Sequence, residues 1–316
     1  MNAELTSTTI TAGLFFGALI IERFLLLPLH LHPFWIFRQL AKRLAVRVHP
    51  IEPRPRSQQR ISGLMAVFLL LLLWAGVLAV FYFFAALQPV FAAIILVFSL
   101  GSQPWLMHAK LIYKARAEGQ KSLARSRLQQ WFVRDCSSLS PLGIEKTTAE
   151  YTTRTLLQVW VGVVFWFAVL GPIAAFIYRC CAELARAWPM FSPRYADFGA
   201  VADATFRMLN WLPHQLVAYS LRALLWLARK PRLAPAAVGM HRQDAELFSL
   251  AAAWNGTNLG GPIIYDGRKI SRTRFNANTS NATKPTRVRM LLLKYLGVQL
   301  WVALLMFTVL VLRTML

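Results

Sequence analysis

The stretch Gly63–Leu87, GLMAVFLLLLLWAGVLAVFYFFAAL, holds no charged residue. At about 1.5 Å per residue, a helix of this length covers the roughly 30 Å hydrocarbon core of a bilayer. A helix apolar all round offers water no polar face, so the stretch reads as a membrane span. The uncharged Gln88–Pro89 turn follows, and then a second apolar run, Val90–Leu106, so the pair reads as a hairpin through the membrane. Leu156–Tyr178 and Met290–Leu312 have the same character. Two weaker segments are Ile10–Leu29, interrupted by Glu22 and Arg23, and Phe206–Ala228, interrupted by Arg207 and Arg222. The expected fold is all-α and polytopic, with about six membrane segments and cytoplasmic amphipathic helices.

Composition agrees with that reading. Hydrophobic residues make up 57% of the 316 positions and charged residues only 15%, against about 45–50% and about 25% in soluble domains. The net charge is +22, from 35 Lys+Arg and 13 Asp+Glu. A basic disordered tail for nucleic acid would be poor in large apolar residues, whereas this chain has 21 Phe and 11 Trp, so no nucleic-acid partner is expected. Cys136, Cys180 and Cys181 form no CxxC, which excludes a disulfide scaffold or structural zinc. The first segment does not read as a cleaved signal peptide, since no basic residue precedes it.

The basic residues set an orientation. Leu29–Ser62, His108–Thr155 and Arg229–Arg289 are all rich in Lys and Arg, and the positive-inside rule places such segments in the cytoplasm. They share one side only if both termini lie outside, which six spans require. The expectation is an inner-membrane protein of one domain, 1–316, with cytoplasmic segments at 107–154 and 229–289. His108–Arg134 shows helical spacing in Leu111, Ala115, Leu123, Leu128 and Trp131, with a basic opposite face. Such a helix either lies on anionic lipid head groups or walls a cleft open to the cytosol. Asn276–Thr286 reads as a mobile loop.

Catalytic motifs are missing. Gly119-Gln120-Lys121-Ser122 lacks the upstream glycine of a phosphate loop and falls within the expected helix. There is no GxSxG or HExxH, the six histidines do not group as a metal site, and 13 acids leave few pairs for acid/base work. No catalytic residue and no metal ligand follows from motif alone.

An ordered series of residues says more. It comprises Leu100-Gly101, His108-Ala109, Gly119, Arg125, Arg134-Asp135, Glu150, Phe165-Trp166, Tyr178-Arg179, Arg194-Tyr195, Phe198-Gly199 and Asn210-Trp211-Leu212-Pro213. Glu22-Arg23 and His32-Pro33 come before it, and Leu259-Gly260-Gly261-Pro262 with Tyr265 after it. This order resembles the CobD/CbiB family of membrane proteins, associated with adenosylcobinamide-phosphate synthesis in cobalamin biosynthesis. The resemblance implies ATP-dependent amide formation between a corrinoid carboxylate and the amine of an aminopropanol phosphate, with acidic and Asn/Gln side chains around Mg²⁺. It also implies a corrinoid or other small-molecule ligand, with His108, Arg125, Arg134, Asp135, Glu150, Asn210, Gly260 and Gly261 as candidate binding residues, of which His108, Arg134, Asp135, Glu150, Gly260 and Gly261 are expected to share one cytoplasm-facing pocket.

Each of these residues has a plainer reading. Arg134-Asp135 is a phosphate clamp or a pair at a helix end; Glu150 is a site acid or a salt-bridge partner of Lys146 or Arg154. His108 is a base, a phosphate contact or an interfacial anchor. Gly260-Gly261-Pro262 is a ligand-facing turn or simply a tight one. Cys180-Cys181 reads as core packing.

The series also departs from the family. A polar string expected after Glu150 is replaced by Arg154, Thr155, Gln158 and Val159, an expected asparagine and aspartate by Ala182 and Ala185, and paired aspartates by Phe206 and Arg207. The AmpE proteins, a related branch associated with β-lactamase regulation, also lack much of that string and resemble this chain at Asp203…Asn210-Trp211. The expectation is therefore a divergent member whose family reaction is weak or absent, with ATP and Mg²⁺ involved only if that reaction is retained. Asp203, Asp244 and Glu246 are the acids left to supply ligands. The alternative is a non-catalytic AmpE-like sensor in the inner membrane. A transporter is disfavoured, since no repeat symmetry is visible.

Overall fold

The computed structural model describes residues 2–25, 31–49, 55–231, 237–265, 267–275 and 285–315. Two compact units emerge: Met1–Pro104 with Val159–Asn210 and Trp301–Leu316, and Trp105–Gln158 with Trp211–Leu300.

The first unit is built on α1 (Asn2–Phe24), α2 (Pro33–Val48), α3 (Arg56–Phe84), α4 (Gln88–Leu100), α8 (Trp160–Leu170) and α9 (Pro172–Ala187). Helix α9 packs on α2, α3, α4 and α8, while α1 lies along α4. The core face of α2 carries Phe34, Phe37, Ala41 and Ala45, the three-to-four spacing of an amphipathic helix. His32 caps it, Nδ1 accepting the Phe34 N–H at 3.3 Å, with Pro33 at the first helical position. At the centre, Glu183 accepts hydrogen bonds from Arg38 Nε at 2.6 Å and Arg186 Nη1 at 3.2 Å, and lies 3.0 Å from Arg179 Nη2.

The second unit holds α5 (Gln103–Ala117), α6 (Lys121–Gln129), α7 (Pro141–Thr153) continued by a π-helical turn at Arg154–Val159, and α11 (Arg242–Asn255). It also has four short strands: β1 (Leu259–Gly260), β2 (Ile263–Tyr265), β3 (Arg268–Ile270) and β4 (Arg274–Phe275). Antiparallel β2–β3 pairs Ile263 with Ile270, and β1–β4 pairs Leu259 with Phe275, so one hairpin sits inside the other ladder. Ala149, Ala245, Phe248, Ala252, Leu259 and Phe275 share a core that ties this ladder to α7 and α11. Helices α10 (Ala200–Leu227) and α12 (Pro285–Met315) contribute to both units.

Among the described residues, four helical stretches are long and apolar enough to cross a membrane: Arg56–Phe84, Gln88–Ala117, Pro141–Leu170 and Leu292–Leu312. The fold is thus that of a helical membrane protein. Their limits differ from the sequence expectation for identifiable reasons. Gly101, with φ +43°, ends α4 inside the expected Val90–Leu106 span. The expected Leu156–Tyr178 span is divided at Gly171, with φ +92°, because Pro172 lacks an N–H and opens a new helix. Phe206–Ala228 is helical as far as Leu227, within α10, but is not among the four, and Ile10–Leu29 runs into residues outside those described. His108–Arg134 is not one helix: Gly119, with φ +76°, ends α5, and α6 begins two residues later. The Asn276–Thr286 loop lies almost wholly outside the described residues.

Candidate functional site

The site is organised by Glu150, on the last turns of α7. Its Oε1 accepts the Gly260 N–H at 2.9 Å, and Arg272 Nη2 lies 3.0 Å from each carboxylate oxygen. Arg272 Nε also donates to the Gly261 carbonyl at 2.8 Å. Arg134 Nη2 approaches Glu150 Oε2 at 3.9 Å, and the Arg134 guanidinium lies 4.8 Å above the Phe132 ring. Burial lowers the pKa of Arg134, and the Glu150 charge works against that. One buried carboxylate thus holds two guanidiniums and a backbone turn.

The turn needs glycine. Gly260 and Gly261 have φ of +77° and +92°, and a Cβ on Gly260 would stand 2.1 Å from the Thr273 carbonyl oxygen. A Cβ on Gly261 would meet Lys146 Nζ at 2.9 Å, so the ammonium sits directly over the turn.

These groups border a cleft of about 350 Å³. Its ionisable lining is Arg134, Lys146, Lys269, Arg272 and Arg274 against Asp135 and Glu150. Both acids are already engaged within the chain. Asp135 Oδ1 accepts the Ser137 N–H at 2.7 Å, and that bond holds its carboxyl below the usual range. The Asp135 N–H donates to the Ile264 carbonyl at 3.2 Å, fixing this loop to β2. Five cations against two committed carboxylates favour an anionic guest, and guanidinium and ammonium groups together suit a phosphate or carboxylate.

Of the residues expected to converge, Arg134, Asp135, Glu150 and Gly260 border this cleft. Gly261 adjoins it through Arg272. Arg125 stands behind the wall, Nε and Nη2 donating to the Leu139 carbonyl at 2.8 and 2.5 Å. His108 is not brought in; its ring packs edge-on against Trp131 at 5.3 Å. Asn210 belongs to the first unit, where it is buried and accepts the Tyr178 hydroxyl at 2.9 Å. The sequence reading missed Lys269, Arg272 and Arg274. Arg272 and Arg274 stand two apart on either side of Thr273, whose N–H and carbonyl bond to Val238 and Gly261; that i,i+2 spacing was the available signal.

The positions that depart from the family string, Arg154, Thr155, Gln158 and Val159, coincide with the π-helical turn. Such turns alter which way successive side chains point and are often found at functional sites. Arg154 Nη2 donates to Asp244 at 2.8 Å and stacks over Phe248 at 5.2 Å. The remaining acids are likewise committed: Glu246 to His214 at 3.0 Å and to Arg222, and Asp203 to Arg207 at 3.3 Å. Among the described residues no group of three His, Cys, Asp or Glu is arranged to hold a metal ion.

Fold and site together define a helical membrane protein with a basic cleft. The chain belongs to the CobD/CbiB family of cobalamin biosynthesis, whose description, CobD/Cbib protein, matches residues 15–294. It is 30% identical over 258 residues to the cobalamin biosynthesis protein CobD of Chromobacterium violaceum, covering 79% of this chain and 82% of that one. Its identity to the protein of the same name in Stutzerimonas stutzeri is 26% over 300 residues, covering 92% and 95%. No solved structure matches.

Proposed function

We propose that this protein binds a corrinoid intermediate and that the Glu150–Arg272 cleft receives a phosphate, on the corrinoid or on the aminopropanol phosphate to be joined to it. The observation that carries this reading is the surplus of cations around two carboxylates that are both already bonded. Family membership supplies the corrinoid; the cleft supplies the phosphate.

The reaction implied by the family joins an amine to a corrinoid carboxylate with consumption of ATP. Mg²⁺ takes oxygen ligands in near-octahedral array, usually one or two carboxylates with phosphate and water. The donor set fits poorly: Glu150 is closed off by Arg272 and Gly260, Asp244 by Arg154, and Glu246 by His214 and Arg222. No step through a metal-bound nucleotide is derived from these residues. The reading commits to binding, with turnover weak or absent.

Expression in a strain lacking its own adenosylcobinamide-phosphate synthase tests this. The expected outcome is little or no cobalamin-dependent growth, with corrinoid absorbance co-eluting with the detergent-purified protein. Full growth would overturn the claim of weak turnover. Neither growth nor retained corrinoid would favour the AmpE-like regulatory reading.

A further inference from the structure

A second cavity, wholly within the first unit, has a different character. It is a groove of about 840 Å³ between α2, α3 and α4, with Phe176 of α9 also in its lining. Its α3 wall includes Leu69, Leu70, Leu73, Trp74, Val77 and Phe81, among which Leu69, Leu73, Val77 and Phe81 are exposed. The α2 wall is Leu40, Arg43, Leu44 and Arg47. These lie at three- and four-residue spacing, on a stripe separate from the Phe34, Phe37, Ala41 and Ala45 core face. Both arginines are exposed, and they are the charged residues bordering the groove.

The charges gather at one end. Phe37 packs tilted against Trp74 at 5.6 Å, while further along α2 His49 stacks on Phe198 at 5.0 Å. The Phe198 carbonyl also abuts Gly63 near the start of α3. Helices α2 and α3 therefore run antiparallel here, which sets Arg43 and Arg47 at the Leu69 end of the α3 wall and Phe81 at the far end. From Leu69 to Phe81 the wall is about 18 Å long at 1.5 Å per residue, close to the roughly 15 Å depth of one leaflet's hydrocarbon.

We propose that this groove is a specific site for one anionic phospholipid, an acyl chain lying along Leu73, Val77 and Phe81 and the phosphate held by Arg43 and Arg47. An apolar trough one leaflet deep with two guanidiniums at its mouth matches that molecule in both shape and charge. A zwitterionic lipid fills the trough equally well but adds a cation near the arginines. Each basic side chain near an anionic head group favours it on the order of fivefold, so the pair discriminates on the order of thirtyfold.

Native mass spectrometry of the full chain in detergent, titrated with phosphatidylglycerol and phosphatidylcholine of matched chains, tests this. The expected result is one phosphatidylglycerol retained in preference by on the order of thirtyfold. Arg43→Gln with Arg47→Gln should bring the two lipids to parity, and Arg43→Lys with Arg47→Lys should keep most of the preference. Leu73→Trp, which narrows the trough, should weaken both lipids. No preference in the unaltered protein, or a preference unchanged in the Gln pair, overturns the proposal. Should the Gln pair fail to fold, phosphatidylglycerol binding untouched by Leu73→Trp overturns it equally.

Discussion

Arg272 and Glu150, 122 positions apart, are joined by a single guanidinium nitrogen 3.0 Å from both carboxylate oxygens, and the same arginine binds the Gly261 carbonyl through Nε. This contact closes the late glycine turn onto α7. Removing one member of a buried ion pair strands the other charge, at about 3–5 kcal/mol. Glu150→Leu and Arg272→Met should each destabilise the purified protein by that order, seen as a lower thermal midpoint. The Glu150→Leu, Arg272→Met double variant should lose less than the sum of its single changes, as a double-mutant cycle would register.

Gly260 and Gly267 separate backbone strain from collision. Both have positive φ, +77° and +76°, but a Cβ on Gly260 meets the Thr273 carbonyl oxygen at 2.1 Å, whereas nothing lies within 4 Å of one on Gly267. Gly267→Ala should cost only the left-handed conformer, about 1–2 kcal/mol. Gly260→Ala should cost clearly more and disorder the β1–β4 ladder, measurable as faster amide exchange at Leu259 and Phe275.

Acid should weaken the first unit in two stages. His32 is buried and its pKa is lowered to about 4, chiefly by desolvation and then by Arg179. Because the unfolded chain takes up that proton first, stability falls as pH drops from about 6.5 towards 4. Burial pushes the Glu183 carboxyl up, yet Arg38, Arg179 and Arg186 together outweigh it and hold its pKa down to about 2. Its contribution is complete above about 4.5 and is lost as pH falls towards 2. Unfolding followed against pH should show both limbs, and His32→Gln should flatten the upper one alone.

Topology gives a further check. With Cys136, Cys180 and Cys181 replaced, a cysteine at position 88, in the turn opening α4, should react with an impermeant reagent in intact cells. Reaction only after permeabilisation would reverse the proposed orientation.

The spans were legible because lipid selects on composition: Gly63–Leu87 and Met290–Leu312 are uncharged or nearly so over a bilayer's thickness, whatever their neighbours do. Their interruptions were not, since hydropathy averages across Gly101 and Gly171 although each carries the backbone angle that ends a helix. Arg134, Asp135, Glu150 and Gly260, picked out by their order along the chain, border one cleft. Arg272, Arg274 and Lys269 were missed because a basic segment already had an explanation in membrane topology. Nothing local to either residue marks a pairing across 122 positions. His108 does not line that cleft, and the Trp131 contact of its ring is invisible in order along the chain.

The most direct measurement compares the affinity of the detergent-purified full chain for cobinamide and for cobinamide phosphate, read from corrinoid absorbance. The phosphate should strengthen binding by about tenfold or more, the scale of charge-assisted hydrogen bonds. Lys146→Gln with Arg274→Gln should erase that difference while leaving cobinamide binding in place. Equal affinity for the two corrinoids in the unaltered protein, or a phosphate preference that survives both substitutions, would contradict the assignment of the Glu150–Arg272 cleft.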